Sequence, residues 1–423
     1  MAQLHKRFSD EQVKELLNRY LNREIQRDYI LQILGIKRRR FCALIDKYKQ
    51  NPQSFSIHYA RTKTTRSIDP AIEENMLNEL AIDKKLIEDK KVRLYSYNYS
   101  YIQTRLQEKY QQIVSLPTII DRAKKNNFYL PRKPTKKIHD REVLTNHVGE
   151  LIQHDSSIHQ WSPYAPKKWY LITSIDDYSR YMFYAKLISH ESSWAHIQAL
   201  ESIFLRYGLP LSYYVDSHSI FRFVRGRDDI HYTHHLLTDE VNPQWKQVLD
   251  DCNVNVTYAL SPQAKGKIER PYGWIQDRLV RTCARENVIE VKQAQIVLSR
   301  EMHRYNYQQV HSTTQEIPYQ RFQRALNQNL SLFHSFSIKP PFLSTKDIFC
   351  LRLNRKSDAY RRISINNVFL KVNKLDPYQT VNLRIYPLNS TYSEVRFWSN
   401  RSLLDVQKLK NDLFKNLFTT VHF

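Results

Sequence analysis

The sequence predicts a multidomain protein with helical units at the N-terminus, an α/β core in the middle and a small β-barrel at the C-terminus. Apolar residues recur at helical spacing over about the first 140 residues. From Gly149 onward, strand-like apolar runs surround a single helical segment, and after about residue 340 apolar and polar residues alternate. A chain of 423 residues has room for about two to four domains. We expect the limits 1–60, 61–140, 141–330 and 331–423.

The composition is typical of a folded intracellular protein. Hydrophobic residues make up 41% of the chain and aromatic residues 12%, which is unlike a disordered protein. The four cysteines form no CxxC pair, which argues against a zinc cluster or a disulfide framework. The N-terminus has no apolar leader, and no run of about 18 apolar residues occurs. We therefore expect neither secretion nor a membrane span.

Positive charge is concentrated at the two ends of the chain. The formal net charge is +23, with an excess of 13 basic residues in 1–140, none in 141–300 and 10 in 301–423. Such charge favours a nucleic acid as partner over a membrane surface, because no basic amphipathic helix stands apart from the folded units. The alternative is that the charge only maintains solubility.

The first 60 residues predict a helix-turn-helix unit. Ser9 and Gln12 form a capping-box pattern at the start of a helix, and a second helix ends at Gly35. The next helix begins with a basic run, and in helix-turn-helix proteins this end enters the major groove of DNA. The alternative is an ordinary helical hairpin with a solvated basic end. The candidate DNA contacts are Lys37, Arg38, Arg39 and Arg40.

Residues 61–140 predict a second helix-turn-helix unit, winged or unwinged, followed by a basic linker. Asp69 and Pro70 suit a helix start, and Ser115 with Pro117 suits another. The tract LPRKPTKK mixes proline with basic residues, as expected of a linker that lies along phosphates. Candidate DNA contacts here are Lys124, Lys125, Arg132, Lys133, Lys136 and Lys137.

Two acids follow apolar strand patterns in the α/β core. Asp155 lies in GELIQHDSSIHQW and Asp216 in LPLSYYVDSHS, and a helical pattern separates the two strands. We expect both acids at strand ends. Asp176 and Asp177 are rivals for the first position, but a turn or a pair with Arg180 explains them better.

A third acid lies in a basic setting. In SPQAKGKIER, a helix is expected from near Lys267, with Glu269 in its first turn, facing the two aspartates. Three converging carboxylates need cations to remain ionised, and hard divalent ions prefer oxygen ligands. Two such ions about 3.5–4 Å apart can act on a phosphodiester. Lys265, Lys267 and Arg270 would then hold the DNA backbone.

These motifs resemble those of a known group. HDSS, YVDSHS and SPQAKGKIER are similar to the Asp, Asp and Glu motifs of DDE transposases and retroviral integrases, which share an RNase H-like core. RYNYQQVHSTTQEIP, residues 304–318, resembles the segment that closes this core in bacterial insertion-sequence transposases, above all in the ISNCY group. The resemblance covers about residues 145–325.

The resemblance implies a fold, an activity and cofactors. The core would be RNase H-like, and Asp155, Asp216 and Glu269 would bind two Mg²⁺ ions, with Mn²⁺ as a substitute. The enzyme would cut double-stranded DNA at transposon ends and join the freed 3′-hydroxyl to target DNA. It would work as a homo-oligomer assembled on DNA, in the bacterial cytoplasm and on the nucleoid.

One segment departs from the pattern. The second and third acids are 53 residues apart, which is longer than is typical of the integrase group, and residues from about 219 to 250 form the insertion. His231, His234 and His235 in this insertion could bind metal or phosphate. Histidines in a surface loop are more often simply polar.

After about residue 340, short alternating segments predict the strands of the β-barrel. Asn366 and Asn367 would tolerate the positive φ of a tight turn. The excess of basic residues suggests DNA contact, and packing or subunit contact is the alternative role.

Two other functions remain open from the sequence. A non-catalytic DNA-binding regulator derived from a transposase would keep the basic ends, although the complete set of three acids argues against it. A simple metal-dependent nuclease would share the core but hardly needs two basic flanking regions.

Overall fold

The computed structural model describes residues 4–58, 68–131, 145–216, 243–258 and 266–414, with only the backbone described for 266–270. The chain divides into two compact units, residues 1–73 and 74–423. The finer domain limits expected from the sequence stay predictions. No helix in the described ranges is long and apolar enough to cross a membrane.

The first unit contains three helices: α1 (Asp10–Leu21), α2 (Arg27–Leu34) and α3 (Arg38–Gln50). The expected capping box is present, because Ser9 and Gln12 exchange hydrogen bonds between side chain and backbone. Gly35 ends α2 with φ 63°, a conformation that favours glycine because it has no Cβ. The helices enclose a core that includes Val13, Leu17, Ile30, Leu34, Phe41 and Ile45.

Three more helices follow: α4 (Pro70–Glu88), α5 (Tyr99–Tyr110) and α6 (Leu116–Lys125). Ser115 caps α6 by accepting a hydrogen bond from the Thr118 amide, and Pro117 lies in the first turn, where no amide donor is needed. No strand occurs within 68–131, so this described stretch contains no wing.

The α/β core has a five-stranded mixed sheet in the order β3-β2-β1-β4-β5. Strands β1 to β3 are antiparallel neighbours, and β4 and β5 continue the sheet parallel to β1. The elements are β1 (Ile152–His159), β2 (Trp169–Asp176), β3 (Met182–Ile188), α7 (Ser193–Tyr207), β4 (Ser212–Val215), α8 (Gln244–Asp251), β5 (Asn255–Tyr258), α9 (Gly266–Arg285), α10 (Val291–Tyr307) and α11 (Pro318–Asn327).

Helices cover both faces of this sheet, which explains why β2 is buried along nearly its whole length. Ile172 points to one face, where Ala195 and Ala199 of α7 contact it. Leu171 and Ile175 point to the other face and pack with residues of α9 and α10. Helix α9 packs on the sheet through a buried stripe formed by Tyr272, Ile275, Leu279 and Cys283.

The C-terminal strands do not confirm the expected closed barrel. Strands β6, β9, β10 and β11 form an antiparallel sheet in the order β11-β10-β9-β6, while β7 and β8 pair only with each other. Asn366 and Asn367 make the turn of this hairpin with φ 46° and 63°, as expected. The bounds are α12 (Thr345–Ile348), β6 (Leu351–Lys356), β7 (Arg362–Ile365), β8 (Val368–Lys371), β9 (Thr380–Pro387), β10 (Tyr392–Ser399) and β11 (Ser402–Lys410).

The C-terminal sheet packs directly on the α/β core. Asp251 at the end of α8 accepts hydrogen bonds from Arg352 at 2.8 Å and from Arg384 at 3.0 Å. The Trp194 ring of α7 meets Tyr386 edge to face at 5.2 Å between centroids. The two sheets therefore share one hydrophobic core.

Helix α4 is joined to α9 by buried ion pairs, which we call the α4–α9 charge cluster: Glu79, Asp83, Arg281 and Arg285. Arg281 donates to Asp83 at 2.6 Å, and Arg285 donates to Asp83 at 2.5 Å and also to Glu79. Asp83, Glu79 and Arg281 have no exposed surface. Burial alone would lower the pKa of Arg281, but the charges of Asp83 and Asp277 raise it above its ordinary value.

Polar contacts from α5 extend this attachment along α9. The Tyr101 hydroxyl lies 2.9 Å from the hydroxyl of Thr282, and Arg278 donates to Ser100 at 3.2 Å. Asn98 also donates to Asp277. Helices α4 and α5 are thereby fixed to the core helix that carries Glu269.

We predict that Asp83→Ala destabilises the unit 74–423 by about 3–5 kcal/mol, because it leaves Arg281 and Arg285 buried without their shared carboxylate. Urea denaturation followed by tryptophan fluorescence would measure this, since all six tryptophans lie in this unit. The control is Glu88→Ala on the same helix, whose exposed pair with Lys84 should contribute little. Equal effects of both changes would contradict the prediction.

Candidate catalytic site

Asp155 lies within β1, not at its end as expected. Strand β1 continues to His159 because its residues keep pairing with β2, and Asp155 is directly opposite Thr173. The Asp155 side chain is half-buried. It therefore sits on a rigid strand with access to solvent.

Asp216 follows directly after the last residue of β4, as expected, and is also half-buried. In the parallel pair of β1 and β4, Gln153 is opposite Tyr214. Asp155 and Asp216 each lie two residues beyond this pair, Asp155 within β1 and Asp216 just past the end of β4. Neighbouring strands lie about 4.8 Å apart, so the two acids follow the paired residues on adjacent strands.

Helix α9 is held against this part of the sheet. The Tyr272 hydroxyl accepts a hydrogen bond from Thr173 at 2.8 Å, and Thr173 is the residue opposite Asp155. Tyr272 is three residues after Glu269 and so lies on nearly the same side of the helix. The backbone of Glu269 is in the first turn of α9, while its side chain lies outside the described residues.

The electrostatics of the site fit a divalent cation. Burial raises the pKa of Tyr272 well above its ordinary value, and the negative charges of Asp155, Glu191 and Asp216 raise it further. A field of this sign and oxygen donors of this kind suit a hard cation. Among the described residues, no group of three or more His, Cys, Asp or Glu side chains could hold a metal ion. The third predicted ligand, Glu269, has no described side chain.

The rival acids Asp176 and Asp177 have the contacts of a turn. Asp176 accepts hydrogen bonds from the Gly149 amide at 2.9 Å and from the Ser179 amide at 2.7 Å. Asp177 pairs with Arg180 at 3.2 Å. Both side chains are buried. These contacts favour Asp155 as the first acid of the site.

The predicted basic residues are placed in three ways. Lys37, Arg38, Arg39 and Arg40 are exposed at the N-terminal end of α3. Lys124 and Lys125 are exposed near the end of α6. The remaining predicted DNA contacts and insertion histidines lie outside the described residues or described side chains: Arg132, Lys133, Lys136, Lys137, Lys265, Lys267, Arg270, His231, His234 and His235.

Sequence reasoning missed the polar side chain of Glu191, which lies near Asp155 of β1. Glu191 precedes α7 and accepts hydrogen bonds from His196 at 3.0 Å and from Ser156, the residue after Asp155. His196 in turn contacts His154, the residue before Asp155. The only sequence signal was a histidine and a serine flanking the first acid.

We predict a pH effect from Asp176. Burial raises its pKa from 3.8 to about 6. A group whose pKa is raised in the folded state contributes stability at pH values below its unfolded-state pKa. That contribution is lost as pH rises through its folded-state pKa. Relative to Asp176→Asn, wild type should lose on the order of 3 kcal/mol of stability between about pH 4 and pH 6.

Urea denaturation of both proteins across this pH range, followed by tryptophan fluorescence, measures the difference. A difference between the two proteins that does not change with pH would contradict the prediction. Comparison with Asp176→Asn removes the contributions of all other titrating groups.

Comparisons with known proteins give two relatives in sequence, and no protein-family model matches. The chain is 29% identical over 180 residues to "Putative transposase y4bF" of Sinorhizobium fredii, covering 43% of this chain and 38% of that protein. It is 27% identical over 173 residues to the transposase for insertion sequence IS1202 of Streptococcus pneumoniae, covering 41% of this chain and 36% of that protein. The chain thus matches less than two fifths of each relative's length. It is similar to bacterial transposases, as its motifs indicated.

Solved structures give a weaker comparison. The catalytic core domain of HTLV-2 integrase, solved in complex with magnesium, aligns with 18% identity and a TM-score of 0.31. It covers 43% of this chain and 99% of that domain. A simian T-cell lymphotropic virus intasome structure aligns over 72% of this chain with a TM-score of 0.34. Scores this low support no inference.

Proposed function

We propose that this protein is a DDE transposase of a bacterial insertion sequence, which binds transposon ends, cleaves DNA and joins it to target DNA. The observation that carries the proposal is that Asp155 lies on β1 and Asp216 directly follows the adjacent parallel strand β4, while Tyr272 of α9, three residues after Glu269, contacts Thr173 opposite Asp155. The similarity to proteins named as transposases supports it.

In this proposal the chain supplies a rigid frame for three carboxylates. Asp155 is held within β1 by pairing with β2, Asp216 directly follows β4, and the contact of Tyr272 with Thr173 holds α9 against the residue opposite Asp155. Preorganised charge of this kind is effective because it does not have to rearrange during the reaction. Lys265, Lys267 and Arg270 are proposed to hold DNA phosphates at the same end of α9.

Asp155, Asp216 and Glu269 would together hold two Mg²⁺ ions, or Mn²⁺ in their place. Such ions activate the attacking oxygen and stabilise the leaving oxygen in phosphodiester chemistry. The acceptor-only carboxylates and the negative field acting on Tyr272 fit this role.

Exposed basic helix ends would supply further DNA contacts. The first turn of α3 has no acid and begins with Lys37 to Arg40. Cations are unfavourable at the positive end of a helix dipole, so their concentration here suggests an anionic partner. Lys124 and Lys125 of α6 would add contacts. Two transposon ends must be held together, which leads us to propose a homo-oligomer on DNA.

We predict that Asp155→Asn, Asp216→Asn and Glu269→Gln each abolish cleavage and strand transfer but leave binding of DNA ends intact, because each removes one charged ligand and keeps the side-chain shape. The assay uses purified protein, Mg²⁺ and DNA that carries the ends flanking its gene. The control is Asp250→Asn, an exposed acid on α8 that pairs with Lys246.

The outcomes separate the candidate functions. Joined products from wild type and from Asp250→Asn alone would support the transposase. Cleavage without joining would favour the nuclease, and end binding without cleavage would favour the regulator. Cleavage that survives in Glu269→Gln would refute the role proposed for that residue.

We predict that Arg38→Ala and Arg39→Ala weaken DNA binding and that each lowers the salt slope of the binding constant by about 1 if the residue contacts a phosphate. Binding would be measured by fluorescence anisotropy at several salt concentrations. Lys49→Ala is the control, because Lys49 is exposed near the other end of the same helix. An equal loss in Lys49→Ala would show that α3 does not bind by its N-terminal end.

A further inference from the structure

A row of hydrogen bonds crosses the core and ends at the catalytic strand; we call it the histidine row. Ser174 of β2 lies 2.8 Å from His154 Nδ1, and His154 Nε2 lies 2.8 Å from His196 Nδ1. His196 Nε2 lies 3.0 Å from Glu191 Oε1. The same carboxylate oxygen accepts a hydrogen bond from the hydroxyl of Ser156.

The middle of this row is sealed from solvent. His154 and His196 have no exposed surface, and the His154 ring stacks on Trp245 with 5.7 Å between centroids. A buried polar group that loses its hydrogen-bond partner is destabilising, because no water replaces that partner. The hydrogen bonds of the row therefore hold the two rings and the carboxylate in one arrangement.

The row has a direction. A carboxylate only accepts hydrogen bonds, so His196 donates from Nε2, and with both histidine rings neutral it accepts at Nδ1. His154 then donates from Nε2 to His196 and accepts at Nδ1 from the hydroxyl of Ser174. Each ring needs only one N–H, and every bond points toward Glu191. Hydrogen bonds aligned in this way strengthen one another.

The end of the row lies beside Asp155, past the paired part of β1 and β4. The described pairing of β1 with β4 covers Ile152 and Gln153, whereas β1 pairs with β2 along its whole length. Glu191 binds the side chain of Ser156 at this point. Ser156 follows Asp155, so any shift of its backbone moves the acid.

We propose that Glu191 is a positioning residue: oriented by the histidine row, it holds Ser156 and thereby fixes Asp155 for catalysis. This inference rests on the proposed function and deepens it. Glu191 acts on Asp155 through its hydrogen bonds, so a glutamine in its place, which keeps those bonds but not the charge, should retain most of that effect. The effect of losing it should match that of other partners that orient catalytic ligands, which is about 10- to 100-fold.

The test compares Glu191→Ala with Glu191→Gln in the strand-transfer assay at saturating DNA. The glutamine amide oxygen can still accept from Ser156 and from His196, so Glu191→Gln should stay nearer to wild type than Glu191→Ala, with a smaller loss from the missing charge. Glu191→Ala should lower the rate about 10- to 100-fold with unchanged end binding. A rate for Glu191→Gln as low as that for Glu191→Ala would overturn the proposal, and so would full activity of Glu191→Ala.

A second readout is independent of activity. Mn²⁺ binding to the full chain without DNA, measured by electron paramagnetic resonance, should weaken more in Glu191→Ala than in Glu191→Gln. Glu201→Ala is the control, because this carboxylate lies on α7 and contacts Tyr386 at 3.2 Å, on the C-terminal sheet. If Glu191→Ala does not fold, Ser156→Ala removes the last bond of the row and carries the same expectation.

The results distinguish the inference from the proposed function. A wild-type protein that neither cleaves nor joins DNA would refute the proposed function, and Mn²⁺ binding would still decide the role of Glu191. Equal Mn²⁺ affinity in wild type, Glu191→Ala and Ser156→Ala would overturn the inference alone.

Discussion

The α4–α9 charge cluster is the interaction on which the arrangement of the unit 74–423 depends. Asp83 and Arg281 are fully buried, and buried charges are tolerated only when they are paired and hydrogen-bonded. Their separation along the sequence, 198 residues, means that the pair forms only when the helices before the core have docked on it. Helix α9 carries both Arg281, which is anchored to α4, and Glu269, which lies about 18 Å from Arg281 along the helix axis. The attachment of α4 and α5 and the position of the third acid are thus set by one rigid helix.

This arrangement bears on how DNA binding would be linked to chemistry. The exposed lysines of α6 belong to the same compact unit as Asp155 and Asp216, so DNA held there would lie at a fixed distance from Asp155. The basic start of α3 belongs to the other compact unit. The C-terminal sheet is also fixed to the core, through the pairs of Arg352 and Arg384 with Asp251. A transposase built in this way would bind the ends of its transposon with the unit 1–73 and position the cleavage of DNA with the unit 74–423.

Much of the local structure could be predicted because its signals are short-range. The capping box at Ser9, the left-handed Gly35 and the Asn366-Asn367 turn depend on a few neighbouring residues, and each is present. The strands and crossover helix of the core followed from apolar periodicity. The closed barrel is not confirmed, because closure depends on which strand edges pair, and alternation alone does not specify pairing. The end of β1 was also misjudged, since pairing with β2 continues past Asp155.

The sequence by itself determined the order of elements, the basic ends and the three acids in their motifs, because composition, periodicity and spacing are local properties. Only the tertiary structure decided that the strands leading to Asp155 and Asp216 are parallel neighbours, since this requires two distant segments to pair. It also decided that Asp83 is buried against Arg281, and it confirmed the turn contacts expected for Asp176 and Asp177. Charged side chains give the same sequence signal whether they are solvated or buried. Packing in the folded protein determines which partners they contact, and these partners determine their roles.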